Sequence, residues 1–399
     1  MSTTDLPTVR IAQVRHELTR VSVGPDRVRD RLRVAVLADG HVLLEGVPGL
    51  GKTLVLATLA RVLGGTFSRI QFTPDLIPAD VVGTRIYRPS TEAFDVEPGP
   101  VLANVVLADE INRAPARVQS ALLEVMAERQ VTIGGRTFPA PRPFLVVATQ
   151  NPIESEGVYP LPEAQRDRFL MRVPVDYPTP AEERAIVARM ADEPPTAARL
   201  LDPEDVVELQ AAARAVRIAE PTIDYAVRLV LATRDPRAHG LERLVGLLEY
   251  GASPRASLGL VRAARAMAVL RGRDEATPQD VYEVAYDVLN ARLALSYAAL
   301  SEGFSVDDIL VELLTTVKAP ARPIPYRPAG APGGTGVAGS GMPSLPPSPP
   351  TDGAARADGD PGSWSPVDGP TIVLAGDPAP VPAPVHPTRS DAPTPERTR

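Results

Sequence analysis

The chain of 399 residues contains no cysteine, which excludes disulfides and thiolate metal sites and fits a cytoplasmic protein. No apolar run reaches the roughly 18 residues that a membrane-spanning helix needs. The first ten residues are polar and lack the apolar centre of a signal peptide. Aromatic residues make up only 4% of the chain. Positive charge is not in excess: the net charge is −7, so nothing global favours nucleic acid, and no nucleic-acid partner is expected. No repeat of solenoid period is present. What is there is an ordinary soluble composition, 44% apolar and 23% charged, in a length suited to two or three domains. The 45 prolines are too many for one globular unit.

The stretch Gly46-Val47-Pro48-Gly49-Leu50-Gly51-Lys52-Thr53 fits the pattern G-x-x-x-x-G-K-[ST]. Residues 41–45 before it read as a short apolar strand, and residues 54–63 after it as a helix without internal Gly or Pro. Glycines let backbone N–H groups converge on an anion, and the helix N-terminus adds partial positive charge. Lys52 is placed to reach the β- and γ-phosphates, and the Thr53 hydroxyl to hold Mg²⁺. ATP and Mg²⁺ are the expected ligands.

Residues 69–73 read as a second strand. Residues 104–110 read as a buried strand ending in Asp109 and Glu110, and residues 144–151 as another ending in Asn151. Ligands in open parallel sheets sit at the carboxyl ends of strands. Asp109 is therefore expected in the magnesium shell, Glu110 as the base that polarises the attacking water, and Asn151 as a hydrogen-bonding partner of that water or of the γ-phosphate. Residues 161–169 hold Arg166 and Arg168 beside Asp167, either a surface ion cluster or an arginine finger for a neighbouring subunit.

Two β-hairpins are expected as insertions, residues 81–96 with a tip at 88–92 and residues 131–138 with a Gly134-Gly135 turn. Helices are expected at 24–38, with Val28, Leu32, Ala35 and Val36 on one face, and at 116–129. The Val23-Gly24 loop ahead of the first is a candidate contact for the base. From Thr179 the chain turns to alanine-rich helices with recurrent start signals at Thr179-Pro180, Asp202-Pro203 and Thr277-Pro278, each with an acid at the third position. Ser253-Pro254-Arg255 opens a further helix whose expected apolar face is Leu258, Val261, Ala264 and Ala268. A cation in a first turn opposes the helix dipole, so Arg255 calls for a counter-charge such as a bound phosphate. The arginines at 262, 265, 271 and 273 read as a solvated face, and residues 305–317 as the last helix. Beyond Pro320 the composition collapses into Pro, Gly, Ala and Ser, which predicts disorder. In that tail Trp364 is expected to be exposed, and residues 371–375 form an apolar island with the look of a short linear motif or a stray cluster.

Five motifs, GVPGLGKT at 46–53, LADEINRAP at 107–115, ATQNP at 148–152, LPEAQRDRF at 161–169 and GASPRAS at 251–257, together resemble the MoxR family of AAA+ ATPases. The resemblance covers about residues 10–320. It implies an α/β fold: an AAA+ αβα phosphate-loop core with two inserted hairpins (1–178), then an all-α lid (179–320), with the Pro-rich tail (321–399) outside it. By the same resemblance residues 46–53 look like Walker A, Asp109 and Glu110 like Walker B, Asn151 like sensor 1, Arg168 like the arginine finger and Arg255 like sensor 2. Arg166 stands where the family often has leucine, so it competes with Arg168 for the finger. The implied activity is that of an ATP-driven, chaperone-like machine, usually hexameric, acting with a protein that carries a von Willebrand factor A domain. Two rival readings are a DNA-stimulated motor of the same superfamily and a scaffold that uses ATP only to assemble.

Overall fold

The computed structural model describes residues 5–22, 26–47, 49–90, 92–152, 157–191 and 195–320. The Val23-Gly24 loop, Pro48 and everything from residue 321 on lie outside the described residues, and with them the expectations for tail disorder, Trp364 and the island at 371–375.

Among the described residues, the strands up to Pro174 are β1 (Val42–Glu45), β2 (Phe67–Gln71), β3 (Gly83–Arg88), β4 (Ala93–Pro98), β5 (Val105–Asp109), β6 (Gln130–Ile133), β7 (Arg136–Pro139), β8 (Leu145–Gln150) and β9 (Met171–Pro174). Five of them form one parallel sheet in the order β2-β5-β8-β1-β9. Side chains alternate along each strand, so Val42 and Leu44 enter one apolar cluster while Leu43 enters another. Val105 and Leu107 likewise part from Val106 and Ala108, and Leu145 and Val147 from Val146 and Ala148. Continuous apolar strands are what a sheet covered on both faces requires. The chain leaves β1 for the far edge, returns strand by strand to β8, then crosses to β9 on the other side of β1. The carboxyl ends of β1 and β8 therefore open at the switch of direction, where α/β sheets take their ligands.

Helices α1 (Asp5–Val21) and α2 (Asp26–Leu37) precede β1, and α3 (Lys52–Val62) follows the glycine-rich loop. The sequence reading did not assign α1, although Ile11, Val14, Leu18 and Val21 are buried at helical spacing. In α2 the expected face of Val28, Leu32, Ala35 and Val36 is buried. The other cluster is closed by α4 (Pro78–Val82) and α5 (Ala116–Glu128), whose Val118, Leu122, Val125 and Met126 are buried as anticipated. Helix α4 corrects the start of the first hairpin. Val81 and Val82 are helical because Pro78 fits a first turn and Asp80 accepts the Ile77 N–H at 2.9 Å, so the hairpin runs from Gly83 to Pro98. The second hairpin turns at Gly134 and Gly135, and the two hairpins touch: a Cβ on Gly134 would stand 1.8 Å from Cδ of Arg85.

The remaining helices are α6 (Glu163–Arg166), α7 (Pro180–Met190), α8 (Pro203–Ala215), α9 (Glu220–Arg234), α10 (Pro254–Leu270), α11 (Pro278–Asn290), α12 (Tyr297–Ser301) and α13 (Val306–Thr316). The expected start signals operate. The backbone N–H groups of Thr179, Asp202 and Thr277 donate to Glu182, Asp205 and Asp280 at 2.8, 3.0 and 2.8 Å. Helix α10 departs from expectation at one position. Of the expected face Ala264 and Ala268 are buried and Val261 is half-buried, while Leu258 is 65% exposed; Ala256, Gly259, Leu260, Ala263 and Met267 complete the buried side. Small residues on the buried side of α10 allow close packing against α2, α8, α9 and α11. Nor are the arginines at 262, 271 and 273 merely solvated. Arg262 donates to the carbonyls of Ala38 and Asp39, and Arg271 and Arg273 donate to Asp280 at 2.9 and 2.5 Å.

Candidate nucleotide site

Glu45 ends β1, and the Gly46 N–H donates to the Gln150 carbonyl of β8 at 3.2 Å. A side chain at position 46 is excluded because its Cβ would lie 2.4 Å from the Val175 carbonyl oxygen. Gly51 has φ 71°, a left-handed conformation that turns the loop into the first residue of α3. Val47 is half-buried within the loop. Lys52 Nζ donates to the Gly46 carbonyl at 2.6 Å. Burial lowers the Lys52 pKa, and the nearby charges of Asp109, Glu110 and Glu45 oppose that shift. Gly46, Gly49, Leu50, Gly51, Lys52 and Thr53 line a cleft of about 440 Å³.

Asp109, Glu110 and Asn151 line the same cleft. Asp109 Oδ1 accepts from the Thr149 hydroxyl at 2.6 Å, and the same hydroxyl accepts the Glu110 N–H at 2.8 Å. Glu110 has φ 56°, a left-handed conformation costing about 1–2 kcal/mol for a residue with a Cβ. Its carboxylate meets Gln71 Nε2 at 2.9 Å and Arg113 Nε at 3.0 Å. Asn151 is buried just beyond the end of β8, where its carbonyl accepts from Asn112 Nδ2 at 3.5 Å. Two cleft residues, Arg69 and Thr149, and one support, Gln71, were missed by the sequence reading. Arg69 on β2 lines the cleft and pairs with Asp109 at 2.7 Å, Thr149 fixes both acids, and Gln71 holds Glu110. Arg69 and Gln71 fall within the expected second strand, but only the strand order places that strand beside β5.

Among the described residues no group of three or more His, Cys, Asp or Glu side chains could hold a metal ion. The Thr53 hydroxyl and the Asp109 carboxylate are two hard oxygen donors at one cleft. Mg²⁺ is commonly held in this way, with few protein oxygens and the rest from phosphate and water, so the residues fit that ion.

Arg168 and Arg255 lie elsewhere. Both line a second cleft, of about 460 Å³, together with Arg129, Asp167 and Arg262, and the two clefts share no lining residue. Arg168 Nη1 donates to the Leu123 carbonyl at 2.7 Å. Arg166 does not line this cleft: it turns into the chain, pairs with Glu163 at 3.2 Å, and has its pKa lowered by burial and by the like charge of Arg172. Arg255 pairs with Asp167 at 3.3 Å. The counter-charge that a first-turn arginine calls for is thus supplied from within the chain, and Arg255 is not brought to the glycine-rich loop.

Residues 41–171 match the family described as ATPase family associated with various cellular activities (AAA), and residues 245–313 match the AAA lid domain. The chain is 58% identical over 304 residues to Chaperone MoxR1 of Mycobacterium tuberculosis, covering 76% of this chain and 81% of that protein. It is 36% identical over 330 residues to Protein MoxR of Methylorubrum extorquens, covering 77% and 95% of the two chains. A crystal structure of a protein from Cytophaga hutchinsonii superposes with a TM-score of 0.76 at 45% identity, covering 80% of this chain and 97% of that one.

Proposed function

The chain belongs to the MoxR family of AAA+ ATPases, and from that premise we propose a Mg²⁺-dependent ATPase whose complete site forms between two copies of the chain. The observation that carries this reading is the separation of its two clefts. One presents the glycine-rich loop, both acids and Asn151; the other presents Arg168 and Arg255. ATP held at the first cleft of one copy would take its outer cations from the second cleft of a neighbour, as in a closed ring, here proposed to be hexameric.

Within one copy, Lys52 and the backbone N–H groups of residues 49–53 would bind the phosphates, while Thr53 and Asp109 would hold Mg²⁺ through oxygen. Bound Mg²⁺ supplies neutralisation of phosphate charge. Glu110 draws a proton from the attacking water, and Asn151 orients that water. From the neighbour, Arg168 and Arg255 offset charge developing on the transferred phosphoryl group.

The division into a core of residues 1–178 and a lid of residues 179–320 belongs to the same reading, supported by β9 ending at Pro174 and α7 beginning at Pro180. The proposed role is chaperone-like remodelling or maturation of protein complexes in the cytoplasm, with a partner carrying a von Willebrand factor A domain. That assignment is supported by the family and by the name of the mycobacterial relative. No described helix is long and apolar enough to cross a membrane.

The test is steady-state ATP hydrolysis, with and without Mg²⁺, across a wide range of protein concentration. Specific activity that requires Mg²⁺ and rises with concentration supports a shared site. Mg²⁺-dependent turnover that is the same at every concentration and in Arg168→Ala contradicts it, and stimulation by DNA that collapses with salt favours a DNA motor instead.

A further inference from the structure

Lys52 and Arg69 are the two cations that line the glycine-rich cleft among the described residues, and Arg69 is bound to the acid assigned to the metal. Its Nη2 and Nε lie 2.7 and 3.1 Å from Asp109 Oδ2. The other oxygen, Oδ1, accepts from Thr149 at 2.6 Å. Both oxygens of Asp109 are therefore engaged by donors of the chain itself. The register of β2 against β5 sets this up: Arg69 stands opposite Leu107 and Gln71 opposite Asp109, so alternate residues of β2 share the face that carries Asp109. Gln71 Oε1 accepts from Arg69 Nη2 at 2.8 Å, while its Nε2 donates to Glu110 at 2.9 Å. One line of polar contacts thus runs from β8 through β5 to β2 and returns to the second acid. The Arg69 side chain is 49% exposed, which leaves it free to swing toward solvent.

We propose that Arg69 is a positioning residue that latches Asp109 in the nucleotide-free chain and yields that carboxylate to Mg²⁺ when metal and nucleotide bind. This rests on reading the cleft as a Mg²⁺-dependent ATP site. A guanidinium and a divalent cation compete for the same carboxylate oxygen, so the latch subtracts from the gain that Mg²⁺ brings. Without either cation, the Asp109 carboxylate keeps only the Thr149 hydroxyl as a direct partner and sets its charge beside the phosphates of an incoming nucleotide, while Glu110 keeps its pair with Arg113. Arg69 therefore supports nucleotide binding in the absence of metal and moderates the added effect of metal.

The experiment measures binding of a fluorescent non-hydrolysable ATP analogue to the full-length chain, in EDTA and in saturating MgCl₂. The ratio of the two dissociation constants is the readout. Arg69→Ala is expected to raise the ratio by roughly two- to fivefold, the effect of one half-exposed ion pair, and to lower the MgCl₂ concentration at half-saturation. Arg69→Lys, which keeps the charge without the planar fork, is expected between wild type and Arg69→Ala. If Arg69→Ala does not fold, Arg69→Gln gives the same comparison. An unchanged or smaller ratio overturns the latch, whether it comes with lost thermal stability, as for a simple staple between strands, or with equal weakening in both conditions, as for a direct phosphate contact. Wild-type binding that ignores Mg²⁺ contradicts the ATP-site reading itself and leaves Arg69 out of the matter.

Discussion

Arg255 Nη1 stands 3.3 Å from Asp167 Oδ2, and Asp167 immediately precedes Arg168. The same carboxylate accepts from the Ser253 hydroxyl at 3.0 Å and from Arg292 Nε at 2.9 Å. One acid on the segment after α6 thus holds the start of α10 and the chain just past α11, and it lies on the same cleft as Arg168 and Arg255. Asp167→Asn leaves the nearly buried Arg292 without its counter-charge. The expected cost is about 2–4 kcal/mol, read by urea denaturation. Stability within 0.5 kcal/mol of wild type, roughly the scatter of neutral surface substitutions, would show that Asp167 is not the fastening point.

Glu110 combines a proposed chemical role with a strained backbone. Glu110→Gln keeps the shape and removes the base, so ATP binding should persist while turnover falls by about 10²-fold or more. Replacement by glycine relieves the left-handed strain that alanine retains. Glu110→Gly is therefore expected to be more stable than Glu110→Ala by about 1 kcal/mol, the reverse of the usual order within regular structure. Thermal melts of the two variants decide this.

His41 is buried under the sheet, where Nδ1 accepts the Val146 N–H at 3.0 Å and Nε2 lies 3.3 Å from the Met126 carbonyl. Burial, with the charge of Arg129 adding to it, pushes its pKa down to about 3. A neutral folded imidazole means that the unfolded chain gains a proton first as pH falls. The His41 contribution is whole above about pH 6.5 and declines from there toward pH 3, by about 1.4 kcal/mol per unit. Urea denaturation at pH 7.5 and 5.0 should show a stability loss that His41→Asn makes smaller. An unchanged loss in that variant would assign the acid sensitivity to other groups.

The contact between the two hairpins should be separable from nucleotide binding, since Gly134 and Arg85 lie outside the nucleotide cleft. Gly134→Val places a branched side chain at φ 56° and against the Arg85 stem, with an expected cost of about 1–2 kcal/mol. Adding Arg85→Ala should recover part of that loss, a non-additivity typical of residues in contact. Nucleotide affinity should stay at the wild-type value throughout. A loss of affinity in Gly134→Val would show that the hairpins reach the site.

Much of the α/β core was legible because its signals are local. A glycine-rich turn between an apolar strand and a helix, and acids or an amide ending buried runs, place Lys52, Asp109 and Asn151 at one end of one sheet from sequence alone. What stayed hidden depends on long-range packing. Arg69 meets Asp109 only because β2 lies next to β5, 40 residues apart in sequence. Arg255 read as a residue in want of a phosphate because its partner, Asp167, lies 88 residues away. On α10 the misplaced residue is Leu258: Ala264 and Ala268 of the expected face are buried, but small residues such as Ala256, Gly259 and Ala263 share that side without standing out by hydrophobicity, and contacts such as Arg262 with the Ala38 carbonyl accompany that orientation.

The central claim is that the two clefts of one chain serve two different ATP molecules. It is tested most directly by mixing Arg168→Ala, which keeps loop and acids, with Glu110→Gln, which keeps both arginines. Each alone should bind ATP and turn over little. Mixed, the two should recover a fraction of wild-type hydrolysis, greatest near equal amounts, because some interfaces then pair an intact acid with an intact arginine. Near-wild-type turnover by Arg168→Ala alone, or no recovery at any mixing ratio despite assembly, would contradict the shared site.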